Sequence, residues 1–153
     1  MNDLGYLIDT SGFVHLMRDP AALARWRGPL ESGLIRIAKV TKSEILYSAT
    51  GPAHRDELEE ELNDLFGPAL GIPKGGEDWA LNAQYKLTQK GQHRSAGTVD
   101  LLLCSVAAHY NYPVLHVDSD FVTVARVIAE LRERDVRGDV RAHDVRARDV
   151  RES

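Results

Sequence analysis

The chain has 153 residues, 43% of them hydrophobic and 27% charged, a balance that predicts one globular domain with a sizeable core. It has no run of about 18 apolar residues and no basic start followed by an apolar block, so we expect a cytoplasmic protein without a membrane segment, and its single cysteine, Cys104, excludes a disulfide framework. The formal net charge of −4 provides no overall basic field, so binding to nucleic acid would require a local basic patch or bound cations.

The first predicted unit is a strand over residues 4–8 that ends on Asp9. Thr10 and Ser11 follow, and either hydroxyl could cap a helix over residues 13–17. Asp9 could equally be only a cap or a turn residue, so its position alone does not assign it a chemical role. A second helix is predicted to begin at Asp19-Pro20, with the aspartate as its cap.

The next unit is a short strand over residues 33–40, followed by residues 41–44 (TKSE), which have the form of a capping box. In that interpretation the Glu44 carboxylate turns back and accepts a hydrogen bond from the N–H of Thr41. The alternative is that Glu44 faces a catalytic site. Residues 56–66 then form a helix on which the dense acids indicate a solvated face rather than a metal site.

The third acid of interest opens an apolar helix that follows a helix starting near residue 78 and a polar loop over residues 91–97. Asp100 lies in the first turn of this apolar helix, where the helix dipole alone could account for an acid. A carboxylate near the core is nevertheless costly unless it is paired or bound to a cation. Asp100 is therefore either structural or a ligand.

The fourth acid follows a buried strand predicted over residues 113–117. Ser119 and Asp120 can each cap the helix that comes next. Asp118 lies too early to be the best cap, and the carboxyl end of a strand in an open parallel sheet is where ligands bind. Asp118 is thus a candidate for chemistry.

The last residues differ in character from the rest. Asp-Val-Arg tripeptides recur at uneven spacing in a charged stretch with few large apolar residues, beginning at Asp135, Asp139, Asp144 and Asp149. Such spacing fits neither a regular helix nor a strand. We predict a folded domain over residues 1–133 and a solvated, partly disordered extension over residues 134–153.

Considered together, the four acids suggest a metal site. Asp9 and Asp118 end strands at one edge of the sheet, while Glu44 and Asp100 lie in the first turns of helices that can start at that edge. Converging carboxylates repel each other unless a cation holds them, and hard oxygen ligands favour Mg²⁺ or Mn²⁺. Such a site can activate water and neutralise charge on a phosphodiester, which is nuclease chemistry.

The segments that carry these acids resemble the four signature stretches of PIN-domain ribonucleases, especially the VapC-type toxins of bacterial toxin–antitoxin pairs. They are residues 7–11 (LIDTS), 41–47 (TKSEILY), 98–102 (TVDLL) and 116–121 (HVDSDF). The resemblance implies an α/β protein: a three-layer α/β/α domain with a mostly parallel central sheet. It also implies Mg²⁺- or Mn²⁺-dependent cleavage of RNA, often tRNA or rRNA, neutralisation by a VapB-like antitoxin, and a homodimer.

The same resemblance assigns roles to individual side chains. It implies that the catalytic acids are Asp9, Glu44, Asp100 and Asp118. Asp9, Asp100 and Asp118 would be the main metal ligands, with Asp120 as a further candidate, and the hydroxyl of Thr10 or Ser11 would contact substrate. His93 and Arg94, near Lys86 and Lys90, are the nearest basic side chains in sequence for holding the RNA backbone, although ordinary surface charge explains them as well.

Two alternatives remain open at this point. Residues 114–122 also fit the apolar-run-then-DxD pattern of haloacid-dehalogenase-type phosphatases, but too little chain follows for the later motifs of that chemistry. The other alternative is a PIN-like binding or regulatory module without catalysis, in which the acids are helix caps. Caps would bind no Mn²⁺, and their substitution would cost stability rather than activity.

Overall fold

The computed structural model describes residues 5–138, which form a three-layer α/β/α fold around a four-stranded parallel sheet of order β2-β1-β3-β4. The strands are β1 (Tyr6–Ile8), β2 (Ile35–Ile37), β3 (Val114–His116) and β4 (Glu133–Asp135). The helices are α1 (Thr10–Arg18), α2 (Pro20–Glu31), α3 (Lys39–Tyr47), α4 (Pro52–Phe66), α5 (Gly76–Gln89), α6 (Thr98–Tyr110) and α7 (Ser119–Val127). The predicted fold class is confirmed.

The two central strands are buried on both faces, which explains their short, wholly apolar character up to His116. Tyr6 and Ile8 pack in one core with side chains of α1, α2, α3 and α4. Leu7 and Val114 face the opposite core, which α5, α6 and α7 provide. The alternation of side chains along a strand therefore separates two cores, one on each side of the sheet.

The start of α3 corrects the predicted capping box. The helix begins at Lys39, and its N-cap, Ala38, has no side-chain cap. Instead, the N–H of Lys39 donates to the carbonyl of Leu70 at 2.8 Å, and Ala38 pairs with Leu70 in an isolated parallel bridge. A backbone partner distant in sequence therefore satisfies the start of this helix, and Glu44 lies in its second turn, where it cannot cap it.

The last strand crosses the boundary expected between residues 133 and 134. β4 pairs in parallel with β3, and Val136 just beyond it is fully buried. The N–H of Val136 donates to the carbonyl of His116 at 2.9 Å, and its own carbonyl accepts the indole N–H of Trp26 at 2.8 Å. The first Asp-Val-Arg unit thus belongs to the folded domain, while the units that begin at residues 139, 144 and 149 lie outside the described residues.

Within residues 5–138, no helix combines the length and the apolar character needed to cross a membrane.

Candidate active site

Two of the predicted site acids stand side by side at the carboxyl ends of the central strands. Asp9 follows β1 directly and Asp118 lies two residues beyond β3, and these strands are hydrogen-bonded neighbours in the sheet. Each acid is also the N-cap of the next helix: Asp9 accepts from the N–H of Gly12 at 2.8 Å and Asp118 from that of Asp120 at 2.9 Å. A cap was one of the roles left open for Asp9, and the structure shows it in that role, whereas the expectation that Asp118 lies too early to cap its helix was wrong.

Asp9 is held from two directions. The hydroxyl of Ser11 lies 2.8 and 2.9 Å from its two carboxylate oxygens, and the same hydroxyl accepts the N–H of Val117 at 3.1 Å. Ser11 therefore ties Asp9 to the end of β3, and these internal partners occupy its hydroxyl. Burial raises the pKa of Asp9, although the hydrogen bonds from Gly12 and Ser11 oppose the shift.

Asp100 shows that the four acids share one electrostatic site. It lies in the first turn of α6 and is partly buried. Burial, followed by the negative charges of Asp9, Glu44 and Asp118 in that order, raises the pKa of Asp100 to about 6. Three carboxylates that span more than 100 residues of sequence are thus close enough to Asp100 to repel its charge: Asp9 just after β1, Glu44 on α3 and Asp118 beyond β3.

Glu44 and Asp120 each interact with a neighbour in the acidic site. The exposed Glu44 carboxylate accepts a hydrogen bond from the hydroxyl of Thr10, which joins α3 to the start of α1. Partial burial and the charge of Asp118 raise the pKa of Asp120, in the first turn of α7. Thr10 therefore contacts an acid of the site.

The chemistry of these donors fits a small hard cation. All of them are carboxylate oxygens, and their mutual repulsion at Asp100 is the kind that a bound divalent ion relieves. As it stands, no group of three or more Asp, Glu, His or Cys side chains among the described residues is arranged to hold an ion. The acids lie within reach of each other's charge, and metal binding would have to draw them together.

Comparison with known proteins shows the family of this fold. A family model described as PIN domain matches residues 6–127. The chain belongs to the PIN-domain family. It is 35% identical to Ribonuclease VapC2 of Mycobacterium tuberculosis over 88% of this chain and 94% of that protein. It is 31% identical to Ribonuclease VapC18 of the same species over 84% of this chain and 93% of that protein. The solved structure of VapBC2 from Rickettsia felis, bound to a promoter DNA fragment, matches with a TM-score of 0.66 at 15% identity, covering 84% of this chain and 96% of that one, a likeness of fold alone.

This PIN domain contains a contact beside the site, between a buried histidine and a partly exposed glutamate, that the sequence reasoning missed. His116 is 1% exposed, and its Nε2 lies 2.9 Å from a carboxylate oxygen of Glu133 on β4. Its Nδ1 accepts the backbone N–H of Asp118 at 2.9 Å, so Nε2 carries the proton that is donated to Glu133. A histidine in an otherwise apolar strand, two residues before an acid, was the available signal.

The predicted substrate-binding residues His93 and Arg94 make no contact with the acidic site among the described residues. His93 and Arg94 are exposed between α5 and α6, and neither makes a hydrogen bond or ion pair with another described side chain. Lys86 and Lys90 are likewise exposed. Their role in binding substrate stays a prediction.

Proposed function

We propose that this PIN-domain protein is a divalent-metal-dependent endoribonuclease that acts as the toxin of a toxin–antitoxin pair. The observation that carries the proposal is the pKa of Asp100, which burial and the negative charges of Asp9, Glu44 and Asp118 raise to about 6. Relatives named Ribonuclease VapC, at 31 to 35% identity over more than four fifths of this chain, support RNA as the substrate.

In this proposal the acids have distinct tasks. Asp9, Asp100 and Asp118 would hold Mg²⁺ or Mn²⁺, with Asp120 as an additional oxygen ligand at the margin. The bound ion would lower the pKa of a coordinated water and neutralise charge on the phosphodiester. Glu44 would orient the attacking water and accept its proton.

The neighbouring hydroxyls keep these carboxylates in place. Thr10 donates to Glu44, and Ser11 donates to Asp9 while it accepts from the backbone of Val117. A side chain whose hydrogen bonds are already made requires little reorganisation when the substrate arrives. Thr10 remains a candidate for substrate contact, because its partner is an exposed carboxylate on the open side of the site.

The proposal also includes partners. A VapB-like antitoxin would neutralise the toxin, tRNA or rRNA would be the target, the protein would act in the cytoplasm, and two copies would form a homodimer. Similar solved structures are VapBC2 from Rickettsia felis and VapBC-5 from Mycobacterium tuberculosis, which supports the antitoxin partner. Sedimentation of the purified protein tests the dimer, and sequencing of RNA ends after controlled expression identifies the target.

The direct test is RNA cleavage by wild type and Asp9→Asn, each with Mg²⁺, with Mn²⁺ and with excess chelator. Asp19→Asn is the matched control, because Asp19 caps α2 through the N–H groups of Ala21 and Ala22 and takes no part in the acidic site. We expect cleavage by wild type and Asp19→Asn only when metal is present, and a loss of at least a hundredfold in Asp9→Asn. Full activity of Asp9→Asn, or activity in chelator, contradicts the proposal.

The fact that Asp9 and Asp118 cap helices favours one second candidate, a PIN-like module without catalysis. In that case the acids serve stability alone. Their amide variants would lower the melting temperature and change no RNA-cleaving activity, and the protein would bind no Mn²⁺.

A further inference from the structure

A cavity of about 760 Å³ lies between α3 and α4, and α3 is the helix that carries Glu44. Its walls mix cations, an aromatic ring and aliphatic side chains, and the polar part includes Lys39, Lys42, Ser43, Tyr47, Arg55 and Glu59. No part of the acidic site lines it. Nothing in the proposed chemistry accounts for this cavity.

The cavity adjoins the acidic site through α3. Ser43 is the residue before Glu44, and Tyr47 lies three residues after it, on the neighbouring turn of the same face. Lys39 lies five residues before Glu44, about 7.5 Å along the helix axis at 1.5 Å per residue. At about 100° per residue, Lys39 is also turned about 140° from Glu44 around the helix, with Tyr47 about 60° away on the same side, so a strand that passes Glu44 reaches the cavity by way of Tyr47.

The lining of the cavity is basic although the chain as a whole is acidic. Glu59 is shared by two cations: Lys42 Nζ lies 3.4 Å from one of its oxygens, and Arg55 Nη1 lies 2.9 Å from the other. Lys42 and Arg55 accordingly lower the pKa of Glu59. Lys39 makes no ion pair with any other described residue. One carboxylate against three cations leaves two positive charges in excess, in a chain whose net charge is −4.

The aromatic component is Tyr47, whose side chain is 92% exposed at the end of α3. Its ring packs in neither core, so the fold does not require an aromatic residue there. An exposed ring beside a groove of cations is the combination that binds single-stranded nucleic acid: the ring stacks on a base, and the cations follow the phosphates.

We propose that the α3–α4 cavity binds a nucleotide of single-stranded RNA next to the cleavage position. Tyr47 stacks on its base, and Lys39, with Lys42 and Arg55 held in place by Glu59, contacts the adjacent phosphates. This deepens the proposed function and rests on it, because it places the RNA strand relative to Glu44. The other acids of α4 do not line the cavity.

The test measures binding apart from cleavage. Each variant is made in the Asp9→Asn background, and fluorescence anisotropy follows a labelled, unstructured 12-nucleotide RNA in Mg²⁺ at several salt concentrations. We expect Tyr47→Ala to weaken binding by a factor of about 5 to 150, as for loss of one stacked base, and Tyr47→Phe to bind as the parent does. Tyr85→Ala is the matched control, because Tyr85 on α5 is also an exposed ring, at 62%.

The contribution of Lys39 is tested with the same RNA-binding assay. Lys39→Ala should weaken binding and reduce the steepness of the salt dependence by about 0.7, the value for one phosphate contact on a single strand. Arg27→Ala on α2 removes the same net charge at an exposed position outside the cavity and should leave the slope unchanged. Melting temperatures confirm that each variant is folded.

The outcomes separate this inference from the proposed function. If Tyr47→Ala and Lys39→Ala bind RNA as the parent does, or if Tyr85→Ala and Arg27→Ala lose as much, the cavity is not an RNA site, even when wild type cleaves RNA. If the cavity variants keep RNA binding but lose binding to the antitoxin, the cavity is a protein interface and the inference is overturned. If wild type neither binds nor cleaves RNA, the proposed function is wrong, and the inference that rests on it is wrong as well.

Discussion

Replacing Asp100 by asparagine should make the metal-free protein more stable while it abolishes activity. The pKa of Asp100 is raised from 3.8 to about 6, which corresponds to about 3 kcal/mol against the charged form at 1.36 kcal/mol per tenfold change in proton affinity. Because the side chain is partly exposed, solvent screening reduces this figure, and we expect a gain of about 1 kcal/mol in the free energy of unfolding at pH 7.5. Asparagine keeps the size of the side chain and removes the charge.

The sign of the pH dependence follows from the direction of the shift. A carboxyl whose folded pKa lies above its unfolded pKa binds its proton more tightly in the folded state. The penalty in wild type is therefore fully present above pH 6 and disappears as the pH falls through 6 towards 3.8. The advantage of Asp100→Asn should be largest at neutral pH and vanish near pH 4.

Urea unfolding in chelator at pH 7.5 and at pH 4 measures both quantities. Asp19→Asn, which replaces a helix cap outside the acidic site, should show no such gain at pH 7.5. Adding Mn²⁺ should stabilise wild type and leave Asp100→Asn nearly unchanged, since an ion that binds only the folded state adds its binding free energy. Two results would refute the electrostatic reasoning. One is an Asp100→Asn protein less stable than wild type at pH 7.5, and the other is the same difference in free energy of unfolding from wild type at both pH values.

Three further substitutions test how the fold supports the site. Ser11→Ala should lower the free energy of unfolding by about 1 to 3 kcal/mol, because Asp9 loses its hydroxyl donor and the N–H of Val117 its acceptor; urea unfolding measures it. Glu133→Ala should cost about as much in the same assay by leaving the buried imidazole N–H at the end of β3 unpaired, whereas Glu133→Gln keeps an acceptor and should cost much less. Gly12→Ala should cost about 1 to 3 kcal/mol because its Cβ would lie 2.5 Å from a β3 carbonyl oxygen, while Gly28→Ala, with open space around it, should be neutral or stabilising in the same measurement.

The arrangement of strands and acids was predictable because it depends on local signals. Each central strand is a short apolar run that ends near an acid, and in a parallel sheet the carboxyl ends of neighbouring strands meet at one edge. That reasoning placed Asp9 and Asp118 after neighbouring strands, and the charges of Asp9, Glu44 and Asp118 contribute to the raised pKa of Asp100. The parallel sheet followed from the same pattern, and the three-layer arrangement followed from the family resemblance.

The errors arose where tertiary contacts outweighed local preference. A capping box at residues 41–44 is a sound local signal, but the backbone of Leu70 satisfies the start of α3 two residues earlier. The charged composition after residue 133 concealed β4, because one apolar side chain, Val136, and the backbone pairing with β3 are enough to hold that segment in the fold. The contact between His116 and Glu133 depends on that pairing, so it too was hidden.

The central claim, that carboxylates distant in sequence jointly bind a small hard ion, is tested most directly by calorimetric titration of Mn²⁺ into the chelator-treated protein at pH 7.5. The comparison uses wild type, Asp118→Asn and the helix-cap control Asp19→Asn. We expect saturable binding to wild type and to Asp19→Asn, and affinity at least tenfold weaker in Asp118→Asn, since a charged oxygen ligand is lost. Absence of Mn²⁺ binding to wild type, or equal affinity in all three proteins, would contradict the account.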